Sequence, residues 1–292
     1  MKKTFKHIGI IGKPNNPEVA DTANILYQHL ITKVDTVLVE EAIAEQMSGN
    51  AEHVVSREVM AENSDLVIVV GGDGSMLNAA RLLVNYDVPV LGINRGYLGF
   101  LTDIGPLDML ERIDEIIAGE YKEELRFLLL ARVIRDGKLI SESEALNDIV
   151  LYPGEISKML EFEVYIDDMF AFSQRSDGII VSTPTGSTAY ALSGGGPIMH
   201  PSIDALVLVP MHPHTLSMRP IVVNIESNID IVVADSNKHD PQVSYDGQLT
   251  FPLEHGDKIT IRKKSRQLWL LHPKDYDYYH VLRTKLGWGT KL

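Results

Sequence analysis

The sequence contains no cysteine among its 292 residues. Disulfide bonds, thiolate metal sites and a cysteine nucleophile are therefore excluded. Positive charge is also scarce, because 27 Lys and Arg residues stand against 40 Asp and Glu residues, giving a formal net charge of −13. A negative protein repels nucleic acids and anionic membrane surfaces, so we expect neither as a partner.

Long apolar runs are missing as well. No stretch approaches the roughly 18 apolar residues that a membrane-spanning helix needs. The apolar residues that follow Lys2 and Lys3 are interrupted by Gly9, Gly12 and Pro14, so we expect no export signal. The sequence predicts a cytoplasmic protein, and its length allows two domains of ordinary size.

The most informative stretch is residues 65–78, which predicts a strand, a glycine turn and a helix. Residues 66–70 are an unbroken apolar run, typical of a strand covered on both faces of a parallel sheet. Gly71, Gly72 and Gly74 follow it, and apolar residues then recur at helical spacing. Glycines let a ligand approach backbone N–H groups beside the positive end of a helix dipole. The pattern therefore predicts a phosphate site.

Asp73 lies among these glycines, where its negative charge would repel a phosphate. Two functions would justify it: the carboxylate holds a divalent cation that bridges to phosphate, or it takes a proton from a hydroxyl that attacks phosphorus. A third possibility is that Asp73 only caps the helix. The turn matches neither the P-loop nor the dinucleotide fingerprint, so their mechanisms are not transferred to it.

The first 122 residues alternate predicted strands with predicted helices. Alternation of this kind predicts a Rossmann-like parallel sheet with right-handed crossovers, whose ligands bind at the carboxyl ends of the strands. The glycine turn and the loop that begins at Asn94 both follow strands, so we expect them to face one cleft. The predicted strands are 7–11, 34–39, 66–70 and 88–94, and the predicted helices are 20–31, 42–60, 76–83 and 107–117.

The pattern changes near residue 123 to short β-like runs separated by turn residues. The sequence thus predicts an α/β N-terminal domain at 1–122 and a β-rich C-terminal domain at 123–271. We expect the last segment, 272–292, to pack back on the first domain.

Small and hydroxyl-bearing residues are densest at 175–197. Such residues expose backbone amides, and the ring of Tyr190 is suited to stacking on a flat base. Gly186, Ser187 and Thr188 predict the start of a helix with an anion-binding N-terminus. The alternative is a Gly/Ser loop with a hydroxyl cap.

Asn147 and Asp148 place an amide beside a carboxylate at the start of a predicted strand. The amide matches an adenine edge and the carboxylate accepts from ribose hydroxyls; an Asx turn is the alternative. His212 and His214 flank a proline. Because no third ligand lies at a suitable spacing, we expect a rigid loop there and not a metal site.

Taken in order, these motifs resemble those of the bacterial NAD kinases over most of the chain. The Gly-Gly-Asp-Gly element by itself is shared with related kinases, namely the diacylglycerol kinases, the sphingosine kinases and the 6-phosphofructokinases. The block that ends at Tyr190 distinguishes the NAD kinases from them. The matching segments are 71–74, 92–101, 147–148, 177–178, 182–190, 194–197, 213–216 and 246–248.

The resemblance implies transfer of the terminal phosphoryl group of ATP, or of another donor such as polyphosphate, to the 2′-hydroxyl of the adenosine ribose of NAD. NADP would be the product. Asp73 would be the general base, and Gly71, Gly72 and Gly74 would hold phosphates. A divalent cation is also implied, usually Mg²⁺, with no residue assigned to hold it, as is a homo-oligomer, either a dimer or a tetramer.

The same resemblance implies a set of residues that bind NAD and the donor. Family members often carry Glu where this chain has Asp148, so the carboxylate is one methylene shorter here and keeps its acceptor chemistry. The implied substrate-binding residues are Gly74, Asn147, Asp148, Lys158, Arg175, Asp177, Thr185, Thr188, Ala189, Tyr190, Ala191, Leu192, Ser193, Asp246 and Gln248.

Two other functions stay open from the sequence. One is a lipid or sugar kinase built on the same Gly-Gly-Asp-Gly turn. The other is a non-catalytic sensor of NAD or NADP. Asp73 favours catalysis over sensing, because a sensor gains little from a carboxylate that faces phosphates.

Overall fold

The computed structural model divides the chain into two compact units. The first comprises Met1–Leu125 and Leu268–Leu292, and the second comprises Arg126–Gln267. In the part of the chain that is described, no helix is both long and apolar enough to cross a membrane. The described residues are 5–96, 98–154, 159–237 and 240–288.

The first unit alternates strands with helices. Its elements are β1 (His7–Gly12), α1 (Pro17–Leu30), β2 (Thr36–Glu40), α2 (Glu41–Ala44), β3 (His53–Val55), α3 (Arg57–Asn63), β4 (Leu66–Gly71), α4 (Asp73–Leu83), β5 (Val90–Asn94) and α5 (Met109–Ile117).

These five strands form a parallel sheet in the order β3-β2-β1-β4-β5. The chain moves outward in one direction from β1 to β3 and then in the other from β4 to β5, so β1 and β4 flank the point where the strand order reverses. Ligands of open α/β sheets bind at the carboxyl ends of strands at this point. The turn that follows β4 is therefore the expected ligand site of this sheet.

Local sequence explains most of these elements. All six residues of β4 are buried, as expected for an apolar run covered by helices on both faces. Asn16 caps α1 by accepting hydrogen bonds from the N–H groups of Glu18 and Val19, and Pro17 occupies the first turn. The predicted α/β fold with a parallel sheet is confirmed.

The single helix expected at 42–60 is wrong. Two short helices, α2 and α3, occupy this region, and the three-residue strand β3 lies between them. This strand pairs with β2 at the sheet edge and its residues are mostly exposed. A strand this short and this exposed has no alternation of apolar and polar residues, so periodicity does not reveal it.

The second unit is built almost entirely from strands. Two strands belong to both units: β6 begins in the first unit and ends in the second, and β17 begins in the second unit and ends in the first. The elements are β6 (Tyr121–Arg135), β7 (Lys138–Ala145), β8 (Asp148–Pro153), β9 (Leu160–Ile166), β10 (Met169–Ser176), β11 (Gly178–Ser182), a 3₁₀ turn (Gly186–Thr188), α6 (Tyr190–Ser193), β12 (Ala205–Met211), β13 (Ile221–Asn224), β14 (Ile229–Val233), β15 (Pro241–Tyr245), β16 (Leu249–Pro252) and β17 (Lys258–Pro273).

The strands of the second unit lie in two layers. One is a six-stranded sheet in the order β13-β12-β11-β8-β15-β16, and the other contains β10-β9-β14 with β17, β6 and β7. A common core joins the layers, with Phe162 from one sheet and Ile179 and Val243 from the other in the same buried cluster. The β-rich C-terminal domain predicted from the sequence is confirmed.

The chain returns to the first unit at its C-terminal end. Leu270 and Leu271 of β17 pair in parallel with β5, which adds a sixth parallel strand beyond it. The strand is followed by α7 (Tyr278–Leu286), capped by Asp277 at its start and by Gly287 in a left-handed conformation at its end.

A buried histidine terminates this sixth strand. His272 is 1% exposed; its Nδ1 lies 3.0 Å from Asp103 Oδ2, and its Nε2 lies 3.2 Å from Glu124 Oε2. Its ring stacks on Tyr276 at a centroid distance of 4.0 Å. Burial alone would lower the pKa of His272, but the hydrogen bond to Asp103 and the nearby carboxylate of Glu124 outweigh burial, so the pKa is raised.

The raised pKa makes protonated His272 a source of stability. The contribution is fully present below the unfolded pKa of about 6.5 and is lost as pH rises through the higher folded pKa. We therefore expect His272→Asn to lower the melting temperature more at pH 6 than at pH 9. Thermal unfolding followed by circular dichroism measures this difference.

The control for this measurement is His255→Asn, the same substitution at an exposed histidine. A destabilisation by His272→Asn that stays constant or grows between pH 6 and pH 9 would contradict the prediction.

Candidate functional site

The turn after β4 holds Asp73 in a fixed position. Gly72 is the N-cap of α4, and Asp73 is the first helical residue, with no side-chain cap on the helix. Its carboxylate accepts hydrogen bonds from Phe100 N at 2.9 Å, Leu101 N at 3.0 Å and Thr102 Oγ1 at 3.2 Å. Because the carboxylate turns toward residues 100–102, the cap-only alternative does not describe it.

Glycine is required at two positions around this carboxylate. A Cβ atom on Gly99 would lie 2.1 Å from Asp73 Oδ1, and one on Gly71 would lie 2.3 Å from Ser75 Oγ. Gly72 instead borders open space, and both Gly72 and Gly74 are exposed. The turn thus packs tightly on the side of Asp73 and leaves backbone accessible on the other, as an approaching phosphate needs.

The loop that follows β5 carries the three donors to Asp73. The buried side chain of Asn94 donates through Nδ2 to the carbonyl and hydroxyl oxygens of Thr102, and its Oδ1 accepts from Gly96 N. The Asn94 N–H also donates to the Ile104 carbonyl at 2.8 Å. The loops after β4 and β5 therefore lie together, as expected, and the hydrogen bonds between Asp73 and residues 100–102 join them.

The second unit contains a cavity of about 550 Å³, which is large enough for a nucleoside. Its floor is made by strands of the six-stranded sheet, and its wall by the short helix α6. The lining residues are Asn147, Asp148, Val150, Tyr152, Pro153, Gly154, Asp177, Ala189, Tyr190, Met211, Ser244, Asp246 and Gly247.

Asp246 holds the start of β8 in place at this cavity. Its carboxylate accepts from three consecutive backbone N–H groups, those of Leu146 at 3.1 Å, Asn147 at 2.7 Å and Asp148 at 3.3 Å. Asp246 has a φ of 53° and Gly247 one of 62°, the pair of positive values that a tight hairpin turn needs. Asp246 is predicted to bind substrate, and in the structure its carboxylate orients the backbone at the start of β8.

Asp148 is a buried acid in this cavity. Its side chain is on the first residue of β8 and is only 4% exposed. Burial, and then the negative charge of Asp246, raise the pKa of Asp148 to about 7. Near neutral pH this residue therefore exists in both protonation states, so it can donate or accept a hydrogen bond.

Tyr190 and Asp177 lie at the same cavity. Tyr190 opens α6 and is 47% exposed, which leaves its ring available for stacking. Partial burial, and then the charges of Asp148 and Asp177, raise its pKa, so the phenol stays protonated and able to donate. Asp177 Oδ2 lies 3.0 Å from Nδ1 of His212.

Several predicted substrate residues do not line the cavity. Ala191 is buried in the core beneath α6, and Thr185 accepts a hydrogen bond from Arg126. Arg175 of β10 pairs with Glu161, which lies opposite it on β9, at 3.7 Å. The others outside the lining are Thr188, Leu192, Ser193 and Gln248, together with Gly74 of the first unit; Lys158 lies outside the described residues.

The predicted helix start at 186–188 is shorter than expected. Gly186–Thr188 forms a single 3₁₀ turn, and α6 spans only the four residues Tyr190–Ser193. Helices this short build little macrodipole, so the predicted anion-binding N-terminus has no support here. A Cβ on Gly186 would lie 2.2 Å from the Asn147 carbonyl oxygen, so glycine is needed there for close packing against the start of β8.

Sequence reasoning missed part of the cavity lining. Val150 and Tyr152 follow Asp148 at alternate positions on β8, so all three side chains lie on the same face of the strand. This alternation was a usable signal. Met211 and Ser244 are brought in by strand pairing between segments that are distant in the sequence, and the sequence carries no local signal for them.

No cluster of three or more His, Asp or Glu side chains suited to a metal ion occurs among the residues that the structure describes.

The fold and these sites define a class: a two-part α/β nucleotide-binding protein with a carboxylate in its glycine turn. Sequence profiles of known families agree with this class. One described as ATP-NAD kinase N-terminal domain matches residues 8–121, and one described as ATP-NAD kinase C-terminal domain matches residues 146–272.

Individual relatives match over almost the whole chain. An NAD kinase of Azotobacter vinelandii is 55% identical over 288 residues, covering 99% of this chain and 98% of the relative. An NAD kinase of Tolumonas auensis is 51% identical over 293 residues, covering all of both chains. The crystal structure of yeast NADH kinase complexed with NADH matches with a TM-score of 0.89 at 25% identity, covering 100% of this chain and 90% of that one. The chain is an enzyme of the NAD kinase family.

The raised pKa of Asp148 has a consequence for stability. Between about pH 4 and pH 7 the folded state binds more protons at this residue than the unfolded chain, so its burial costs stability as pH rises and the cost is complete above pH 7. We expect Asp148→Asn to raise the melting temperature of the ligand-free protein, with a larger gain at pH 8 than at pH 5.

Differential scanning fluorimetry across this pH range measures the gain. Asp177→Asn, which removes a carboxylate from the same cavity, is the control. A gain for Asp148→Asn that is absent at pH 8, or equal at both pH values, would show that Asp148 does not carry this cost.

Proposed function

We propose that the chain phosphorylates the 2′-hydroxyl of the adenosine ribose of NAD, with ATP as donor and NADP as product. The observation that carries this proposal is Asp73, a carboxylate in an accessible glycine turn at the carboxyl end of β4, oriented by three donors. Membership of the NAD kinase family gives the substrate. Membership of this family also argues against the alternative of a lipid or sugar kinase.

In the proposed reaction Asp73 is the general base. The 2′-oxygen of the ribose attacks the γ-phosphorus of ATP, the bond between that phosphorus and the β,γ-bridging oxygen breaks, and ADP leaves. The hydroxyl proton passes to a carboxylate oxygen of Asp73 and then to solvent. Most of the acceleration in phosphoryl transfer comes from positioning and charge neutralisation, to which a base adds about 10² to 10⁴ in rate.

We assign the phosphates and the adenosine to different residues. The accessible backbone of Gly72 and Gly74 binds phosphate, as glycine turns before helices do. In the second unit, the amide of Asn147 contacts the adenine edge, Asp148 contacts ribose hydroxyls and Tyr190 stacks on a ring. We thus propose that the first unit supplies the base and phosphate contacts, and that the second binds NAD.

A divalent cation, Mg²⁺, is part of the proposed reaction. Mg²⁺ commonly uses one or two carboxylates together with substrate phosphates and water, without a cage of protein ligands. When bound, the cation neutralises charge on the donor phosphates.

We further propose that the enzyme acts in the cytoplasm as a homo-oligomer, a dimer or a tetramer, and that polyphosphate is a second possible donor. The family resemblance supports these points. Light scattering of the purified protein gives the oligomer size, and NADP formation with polyphosphate in place of ATP tests the donor.

Substitution of the base tests the mechanism. We expect Asp73→Asn to lower kcat by at least about 10²-fold while NAD binding is retained, because the amide cannot accept the hydroxyl proton. A coupled assay for NADP formation with NAD, ATP and Mg²⁺ measures turnover, and calorimetry measures NAD binding.

Asp65→Asn is the matched control. Asp65 is also a partly buried carboxylate of the first unit that accepts backbone hydrogen bonds, from Lys6 N and His7 N. Near-normal turnover of Asp73→Asn would remove the general-base role. If the wild-type protein binds NAD tightly and forms no NADP with any donor, the chain is the NAD sensor considered above.

Tyr190 provides an independent test of the NAD site. Stacking of an aromatic ring on a base contributes about 1–3 kcal/mol, so we expect Tyr190→Ala to raise KM for NAD roughly tenfold and to change kcat much less. Tyr279→Ala removes another exposed tyrosine, from α7, and is the control. An unchanged KM for NAD would exclude Tyr190 from the NAD site.

A further inference from the structure

His272 is a buried group for which the reaction above has no role. It lies at the end of β17, almost fully enclosed, between the carboxylates of Asp103 and Glu124. Its protonated form contributes to the stability of the first unit. Its position relative to the loop after β5 suggests a more specific function.

Asp103 connects this histidine to the candidate base. Asp103 directly follows Thr102, the last of the three residues that donate to Asp73. The Asp103 side chain is 5% exposed, and its Oδ2 contacts His272 Nδ1, whereas its Oδ1 has no hydrogen bond within the described residues. His272 is therefore the described hydrogen-bond donor that fixes this side chain.

The segment 98–104 is held at its C-terminal end by contacts at three consecutive residues. At Ile104 the backbone carbonyl accepts from Asn94 N. Asn94 also fastens the segment from β5 through two hydrogen bonds to Thr102. On the C-terminal side of Thr102, His272 fastens it through Asp103.

The N–H groups that orient Asp73, those of Phe100 and Leu101, directly precede these contacts in the chain. The clearance there is small, since even a methyl group on Gly99 would overlap the carboxylate. A shift of this segment therefore moves Asp73.

We propose that His272 is a positioning residue for phosphoryl transfer: its hydrogen bond to Asp103 fixes the backbone of residues 100–102 and thereby aims the carboxylate of Asp73. This inference rests on the proposed role of Asp73 as the base. It assigns the two ring nitrogens different tasks, because Nδ1 faces Asp103 and the reaction loop, whereas Nε2 faces Glu124 at the start of the long strand β6.

The difference between the two nitrogens gives the test. In His272→Asn the amide nitrogen takes the place of Nδ1 and keeps the contact with Asp103, and in His272→Gln it takes the place of Nε2 and keeps the contact with Glu124. Both variants lose the charge and the ring that stacks on Tyr276. They differ by one methylene group and in which of the two carboxylate contacts they keep.

We expect His272→Asn to keep kcat within about threefold of wild type, and His272→Gln to lower it by about 10- to 100-fold with KM for NAD unchanged, as for a reacting group misplaced by about 1 Å. Melting temperatures measured beside the kinetics show whether both variants fold. Equal kcat values in the two variants, a lower kcat in His272→Asn than in His272→Gln, or an effect on KM alone would overturn the proposal.

If either histidine variant fails to fold, the same contact is tested from its other end. Asp103→Asn keeps an oxygen that accepts from His272, and Asp103→Ala removes it. The proposal then predicts a kcat near that of wild type for the first and a 10- to 100-fold loss for the second. Equal losses in both would overturn it.

A double-mutant comparison separates this proposal from the function on which it rests. If His272 acts through Asp73, His272→Gln changes kcat by less than about threefold once Asp73→Asn is present, because residues that act as a unit are not additive. The same factor in both backgrounds would overturn the positioning role and leave the base intact. Normal turnover of Asp73→Asn alone would instead overturn the proposed base.

Discussion

The hydrogen bonds to the Asp73 carboxylate are the contacts on which the geometry of the candidate site in the first unit depends. Asp73 stands at the end of the strand that flanks the reversal of the sheet, but its donors lie 27 to 29 residues later, in the loop after β5. The turn therefore has its working geometry only when that loop closes over it. Gly99 allows this closure, because no side chain fits between the loop and the carboxylate.

The second unit uses the same device for a different purpose. Asp73 accepts from two backbone N–H groups and one hydroxyl. Asp246 accepts from three backbone N–H groups, about one hundred residues earlier in the chain. In the first unit the fixed carboxylate is itself the candidate reactive group. In the second it fixes the strand start that carries Asn147 and Asp148, and its charge adds to the effect of burial on Asp148. The Asp246 carboxylate, which orients the backbone at the start of β8, thus also raises the pKa of Asp148.

The strand, turn and helix around Asp73 were predictable from sequence, because an apolar run, three glycines and helical periodicity are local signals. The donors to Asp73 were not, since hydrogen bonds between distant segments leave no mark in either segment. The same reason explains why Met211 and Ser244 were missed at the cavity. Exposed Arg175 and Gln248, which the resemblance implies, lie outside its lining and stay predictions as substrate-binding residues. The resemblance supplied the set of residues, and the fold determines which of them share a cavity.

The path of the chain also determines the order in which the protein is completed on the ribosome. The second unit lies wholly within residues 126–267, so its strands have all been synthesised before Leu270 and Leu271 are added to the sheet of the first unit. The unit whose synthesis begins first is thus the last to gain all its strands. Until residue 272 has emerged, the nascent chain carries an open edge at β5 and an Asp103 carboxylate without its histidine, and such edges are the surfaces that chaperones protect.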